Sequence, residues 1–493
     1  MNRFALLALT LTLPLAALAQ KAPASKQVLR LTLETALQQA LAKNFSIEVQ
    51  RFEPKIAKEG VRSELGHFDP VFDIGLERRE DTRRFVFDNG LRLSSRRVNQ
   101  LDHLSSGLRG VTSWGTQYDL GYGTRNGLGA DNLIGDIFET TGSLKLVQPL
   151  LRDAGPAANL TQVRIARNNV LVSEWKLRQR VIDVMTQTNF VYNDLQLAIE
   201  DLAVAERSRE LARQLFKDNQ ARVDIGVKSP LDVTEARAEV ASREEGVILA
   251  QRHVLDNENV LKQLVTADLL QMLDVRVVIE PPPSPRFRPD VRGGIGEALA
   301  LRPDYRQAIL ELEQRHIRLA FQKNQVLPRI DLTGSLALLG LDDDFGASIS
   351  RVPRRDQSAW SAGVIFSIPL GNREARGALN SARLEVAKSL VNLQQLEQQI
   401  IVDVDNASGQ IVTSRERIVS TGEARRLARE SLEAGEERLR AGTGTTFVVL
   451  DLQKKLAETE AAEVQARSDY NKALGEYQRQ TGTSLREHNV TLE

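Results

Sequence analysis

Two spacings of apolar residues divide this chain. Leu393, Leu396, Ile400, Val404, Ala407 and Ile411 recur three or four apart, the narrow apolar seam of helices packed as coiled coils, while the other faces are charged or amide. No proline follows Pro156 before Asp224, and none lies between about Arg373 and Arg440. At about 1.5 Å per residue, each run makes a helix of roughly 100 Å. A period of two takes over elsewhere. After Pro328, Ile330, Leu332, Leu336 and Leu338 share one face, and Asp331, Thr333 and Ser335 the other. In WSAGVIFSIPL, Trp360, Ala362, Val364, Phe366 and Ile368 oppose Ser361, Gly363 and Ser367. PVFDIGLER and GSLKLVQPL supply counterparts in the first half. About ten residues is what a tilted strand needs to cross a bilayer, and the same alternation also suits a half-buried sheet of a soluble domain. Between Arg84 and Glu139, LSSGLRGVTSWGTQYDLGYGTRNG reads as two more strands around a turn at Thr112 to Gly115. The sequence leaves this hairpin free to join the sheet or to hang outside it.

The pattern occurs twice. At an offset of 258, Ala40, Leu41, Ala42, Glu53, Pro70 and Asp73 fall on Ala298, Leu299, Ala300, Glu311, Pro328 and Asp331. At an offset of 216, Leu211, Ala212, Arg213, Arg222, Gly226, Val233, Ala241 and Glu244 fall on Leu427, Ala428, Arg429, Arg438, Gly442, Val449, Ala457 and Glu460. We read a duplicated unit. The first copy covers 20–278, with strands about 70–150, a long helix about 156–225 and a helix about 230–267. The second covers 290–493, with strands about 328–370, a long helix about 373–441, a helix about 445–480 and a C-terminal tail. The proline-rich 279–289 links them in an extended conformation. Residues 1–19 read as a secretory signal peptide ending in Ala17-Leu18-Ala19, and their apolar run is short for a membrane anchor. Four strands per chain do not close a barrel alone, so closure calls for several chains.

Composition narrows the function. Lys plus Arg and Asp plus Glu both number 65, which removes the electrostatic support for a nucleic-acid partner. With 5% aromatics and a mean hydropathy of −0.28, the chain suits helices wetted on more than one side. No cysteine is present, and five scattered histidines form no H-E-x-x-H pair, so no metal site is expected. GVTSWGT has threonine at Thr116 where a P-loop needs lysine, and GYGTRNG has a misplaced third glycine. We expect no enzyme activity and no cofactor.

Together, LTLETALQQALAKN, the paired Pro-x-x-Asp strands, LVQPLL and FSIPLG, and the turns GVKSPLDV and GTGTTFVV resemble a TolC-like outer membrane efflux protein over nearly the whole mature chain. The resemblance implies a mainly α fold with β: a homotrimer giving four strands per chain to one 12-stranded outer membrane barrel, continued by a long helical coiled-coil tunnel in the periplasm. It implies an outer membrane location and a passive exit duct of a tripartite efflux or type I secretion system. Its expected partners are outer membrane lipid, a periplasmic adaptor and an inner membrane pump of RND, ABC or MFS type. The alternatives are a periplasmic adaptor, for which no lipoyl-like β-domain is legible, and a coiled-coil scaffold, which leaves the alternating strands unexplained.

The family's periplasmic entrance lies at the two turns. Adaptor contact therefore carries over to Gly226, Val227, Lys228, Ser229 and Pro230, and to Gly442, Thr443, Gly444 and Thr445. Gly226 accepts the left-handed conformation that ends a helix, Ser229 caps the next, and Pro230 suits its first position. The family's aperture narrows at acidic residues six and nine places after the second glycine. Here the ninth is Asp451 and the sixth is Val448, while Asp232 and Glu235 hold the first-copy positions. A carboxylate in the first helical turn also stabilises the helix by about 0.3 to 1 kcal/mol, a structural role open to Asp232. In the family a tyrosine and an arginine of the second repeat latch the aspartate matched by Asp232. Leu439 and Gly444 stand in their places, so Arg438 and Arg440 are the candidate latch partners.

Overall fold

The computed structural model describes residues 28–88, 92–128, 137–227, 229–282 and 285–491, and side chains only outside 83–100 and 127–128. The expected signal peptide (1–19) and Lys228 lie outside the described residues. In chain order the elements are β1 (Val28–Leu31), α1 (Leu33–Lys43), α2 (Phe45–Leu65), β2 (Val71–Asp88), β3 (Arg92–Val111), β4 (Gln117–Leu128), β5 (Phe138–Pro149), α3 (Pro156–Asn159), α4 (Thr161–Asp224), α5 (Pro230–Val265) and β6 (Arg276–Ile279). They continue with α6 (Val291–Leu301), α7 (Pro303–Gln325), β7 (Arg329–Asp342), α8 (Phe345–Arg351), β8 (Gln357–Ser367), α9 (Arg373–Arg440), α10 (Thr446–Thr481) and α11 (Ser484–Glu487). No described helix is long and apolar enough to cross a membrane.

The chain forms two compact units. One combines Met1–Asn44, described from residue 28, with Gln187–Pro285 and Arg415–Lys472. Here β1 and β6 pair in parallel, and the buried Tyr192 hydroxyl reaches the carbonyls of Leu31 (3.0 Å) and Glu280 (2.6 Å) at their ends. Burial pushes the Tyr192 pKa up to about 12, so this anchor stays a neutral donor.

The other unit comprises Phe45–Thr186, Arg286–Ser414 and Ala473–Glu493, and it holds one antiparallel sheet of order β2-β3-β4-β5-β7-β8. The hairpin that the sequence left open is therefore the β3–β4 pair, and it lies inside the sheet. Register puts Phe72, Leu108, Leu120, Leu144, Leu336 and Trp360 side by side across all six strands. Ile74, Leu76, Leu104, Tyr122, Leu146, Leu332, Val364 and Phe366 share that face and are exposed. The opposite face carries Glu77, His103, Arg125 and Glu139 in one cross-strand row, with Arg125 and Glu139 paired at 2.5 Å. On the apolar face three buried hydroxyls satisfy one another, Thr124 to Thr140 (2.9 Å) and Thr140 to Ser348 of α8 (2.8 Å). The helical seam reads as its spacing predicts: Ile400, Val404, Ala407 and Ile411 are buried, and Leu393 and Leu396 half-buried.

Arg302, at the α6–α7 junction, organises the polar contacts of this unit. Its guanidinium donates to Asp304 (2.7 Å), Asp403 of α9 (3.2 Å) and Gln480 of α10 (2.7 Å). Burial alone would raise the Asp304 carboxyl, but the hydrogen bond and charge of Arg302 hold it below the usual carboxylate range. Arg302→Ala leaves two carboxylates without their cation and should cost about 3 kcal/mol at neutral pH. The Asp304 part of this stabilisation is present above an unfolded pKa of about 3.9 and is lost as pH falls through the lowered folded value. Thermal unfolding followed by circular dichroism should thus show a large deficit at pH 7 that narrows below about pH 4.

Candidate functional site

Both turns end a helix in the same way. After α4, Gly226 has φ +76°, its N–H bonds the Val223 carbonyl (2.9 Å), and the Val227 N–H bonds that of Arg222 (2.9 Å). After α9, Gly442 has φ +79°, its N–H bonds the Leu439 carbonyl (3.2 Å), and the Thr443 and Gly444 N–H groups share that of Arg438 (3.0 Å each). A left-handed residue here satisfies the last carbonyls of the helix, and a Cβ would strain it. The next helix starts at once. The Ser229 hydroxyl accepts from the Leu231 N–H (3.2 Å) with Pro230 at the first position, and the Thr445 hydroxyl accepts from the Val448 N–H (3.4 Å).

The duplication extends to the ion pairs behind the turns. Arg213 of α4 bonds Glu244 of α5 (2.5 Å), and Arg429 of α9 bonds Glu460 of α10 (3.0 Å), each residue 216 places from its counterpart. Glu460 also accepts from Arg207 of α4 (3.3 Å), joining the two copies. Leu215, Leu432, Leu439, Val449 and Leu456 form the apolar core between these helices.

Gly226, Val227, Ser229, Pro230, Gly442, Thr443 and Thr445 are exposed, and Gly444 is half-buried. Glu235 and Asp451 are exposed, whereas Asp232 is half-buried in the first turn of α5. Arg440 is held by Glu437 (2.7 Å) and Glu436 (3.5 Å) of its own helix. Arg438 is exposed, and its backbone carbonyl takes part in the second turn.

Two residues outside the sequence-based set tie the turns together. Asn219 of α4, 1% exposed, donates its side-chain amide to the Thr446 hydroxyl (3.3 Å) and lies 3.5 Å from the Asp232 carbonyl. Arg222 donates to the Leu439 carbonyl (3.0 Å), across to the end of α9. The signal available in the sequence was broken symmetry. The counterpart of Asn219 is Gly435, where a Cβ would stand 2.5 Å from a Leu452 methyl, so the second copy packs tightly where the first hydrogen-bonds. The turns also expose Ile225, Val227, Leu231, Phe447 and Val448, and Leu231 and Phe447 are repeat counterparts. Such an apolar cluster at the ends of polar helices is a contact surface in form.

The outer membrane efflux protein family matches this chain over residues 135–267 and 294–483. Outer membrane efflux protein BepC of Brucella suis biovar 1 (strain 1330) is 22% identical over 338 residues, 67% of this chain and 70% of that protein. The fold is similar to that of the outer-membrane channel OprN, with TM-score 0.68, 18% identity, and 92% and 90% of the two chains covered. It is also similar to the Campylobacter jejuni CmeC outer membrane channel, with TM-score 0.67, 16% identity, and 93% and 90% covered.

Asn219→Ala removes the buried amide and its bond to the Thr446 hydroxyl, and should loosen the paired turns by about 1 to 2 kcal/mol. Hydrogen exchange read by mass spectrometry should then quicken roughly tenfold at the amides of Gly444 and Val449. Arg252→Ala, which removes an exposed pair with Asp256 (2.6 Å), should leave those amides unchanged.

Proposed function

The chain belongs to the outer membrane efflux protein family, and from that premise we propose that it works as a homotrimeric passive exit duct, opened at its periplasmic end by an adaptor. The observation that carries this reading is the unbroken apolar row from Phe72 to Trp360 on a sheet with two edge strands, β2 and β8. A sheet with one hydrocarbon-compatible face and open edges suits lipid only when copies join edge to edge into a closed barrel. The long helices α4 and α9, with α5 and α10, supply the wall of a water-filled periplasmic tunnel. A soluble adaptor or scaffold has no use for that exposed apolar face.

In this reading the turns at Gly226–Pro230 and Gly442–Thr445 receive the adaptor, and Ile225, Val227, Leu231 and Phe447 give it an apolar surface to bury. An inner membrane pump of RND, ABC or MFS type delivers the cargo. Asp232, Glu235 and Asp451 line the aperture, and three copies of the exposed Asp451 around one axis concentrate negative charge in a narrow pore. Arg222 and Asn219 hold the closed arrangement, with the exposed Arg438 and Arg440 beside the second turn.

Cell fractionation tests the duct itself. The protein should enter the outer membrane fraction and leave it in detergent as a trimer, and a soluble periplasmic monomer would defeat the reading. Asp451→Asn tests the aperture in planar bilayers. Its reversal potential under a salt gradient should move toward that of anions, and block by multivalent cations should weaken. A reversal potential equal to wild type would remove Asp451 from the constriction.

A further inference from the structure

We infer that the β3–β4 hairpin is a third membrane-spanning hairpin, so that the trimeric barrel has eighteen strands, six from each of three chains, and an exit about half again as wide as a twelve-stranded one. This rests on the duct reading above.

Three independent observations lead there. The first is pairing: β2 bonds β3 and β4 bonds β5, so β2 and β5 are separated by the whole hairpin. A twelve-stranded barrel would require all of these ladders to break, and β2 to meet β5 directly. The second is phase. Leu104, Leu108, Tyr118, Leu120 and Tyr122 of the hairpin fall on the face of Phe72, Leu144, Leu336 and Trp360, while Arg109, Asp119 and Lys145 fall together on the other. A hairpin that hung in water would have no reason to keep its apolar residues in the lipid-facing rows of its neighbours. The third is anchorage. The turn at 112–116 is seated on the connection between β5 and α4: the Trp114 carbonyl accepts from the Gly155 N–H (3.1 Å), and the Thr116 hydroxyl bonds the Gln148 amide oxygen. Gly115, at φ +87°, comes so close that a Cβ would stand 2.5 Å from the Asp153 carbonyl. The hairpin base is thus fixed at the level where the other strands meet their helices.

The consequence is functional. An eighteen-stranded barrel leaves a broad aqueous channel, so the outlet does not sort cargo by size, and selection by width falls to the aperture at the turns. The hairpin presents Ser105, Gly107, Gly121 and Gly123 among the charged residues of the polar face, which keeps the added wall low in bulk.

The absence of native cysteine allows a clean test on the full chain in proteoliposomes. Leu120→Cys, Asp119→Cys and Leu336→Cys would each be labelled with an environment-sensitive fluorophore and exposed to phospholipid carrying a nitroxide quencher. The expected result is strong quenching at Leu120→Cys and Leu336→Cys and little at Asp119→Cys. Quenching at Leu336→Cys without quenching at Leu120→Cys places the hairpin outside the barrel, which overturns this inference and leaves the duct intact. Quenching at neither overturns both. A strand count of the wild-type trimer by electron cryomicroscopy decides the matter without any substitution: eighteen supports the inference, and twelve ends it.

Discussion

A strand edge in hydrocarbon has nothing to bond. Each backbone N–H or C=O left there costs several kcal/mol, and no rearrangement of side chains supplies the missing partner. The sheet of this protein ends in β2 and β8, and its apolar face crosses every strand between them. In the proposed duct, assembly answers that constraint: the chain completes its backbone hydrogen bonds with copies of itself. The hydroxyl chain of Thr124, Thr140 and Ser348 obeys the same rule on a smaller scale, since polar groups on that face are tolerated where they satisfy one another.

The turns face the opposite problem. There the backbone is wet, and order comes from few bonds: a left-handed glycine, a hydroxyl cap, and links from Asn219 and Arg222. Each such contact is worth about 1 kcal/mol, against the deep cooperative pairing of a β-ladder. A region held this way opens at modest expense while its surroundings keep their packing. The ion pairs Arg213–Glu244 and Arg429–Glu460 keep each helix matched to its return helix behind the turns.

Much of this was legible in the residues. The seam from Leu393 to Ile411 announced itself by its spacing, and the faces of β7 and β8 by alternation, because burial along one helix or strand leaves a periodic trace. The duplication was visible because both copies solve the same local problems with the same residue types. The place of the β3–β4 hairpin in the sheet was less so: Ser106 and Gly110 interrupt the apolar face of β3, and which strand lies beside which depends on contacts distant in sequence. The bonds of Asn219 and Arg222 left still less trace. Each reaches a single atom on a helix more than two hundred residues away, and a solitary bond of that kind has no period.

The in-phase row from Phe72 to Trp360 has a bearing on descent. Two strands joined by a tight turn leave the chain at the edge where it started, with the same face outward and the next strand undisturbed. A gene could therefore gain or lose one hairpin and change the calibre of the outlet in fixed steps. The adjustment would fall on the seat of the hairpin turn, where Gly155 and Gln148 bond it.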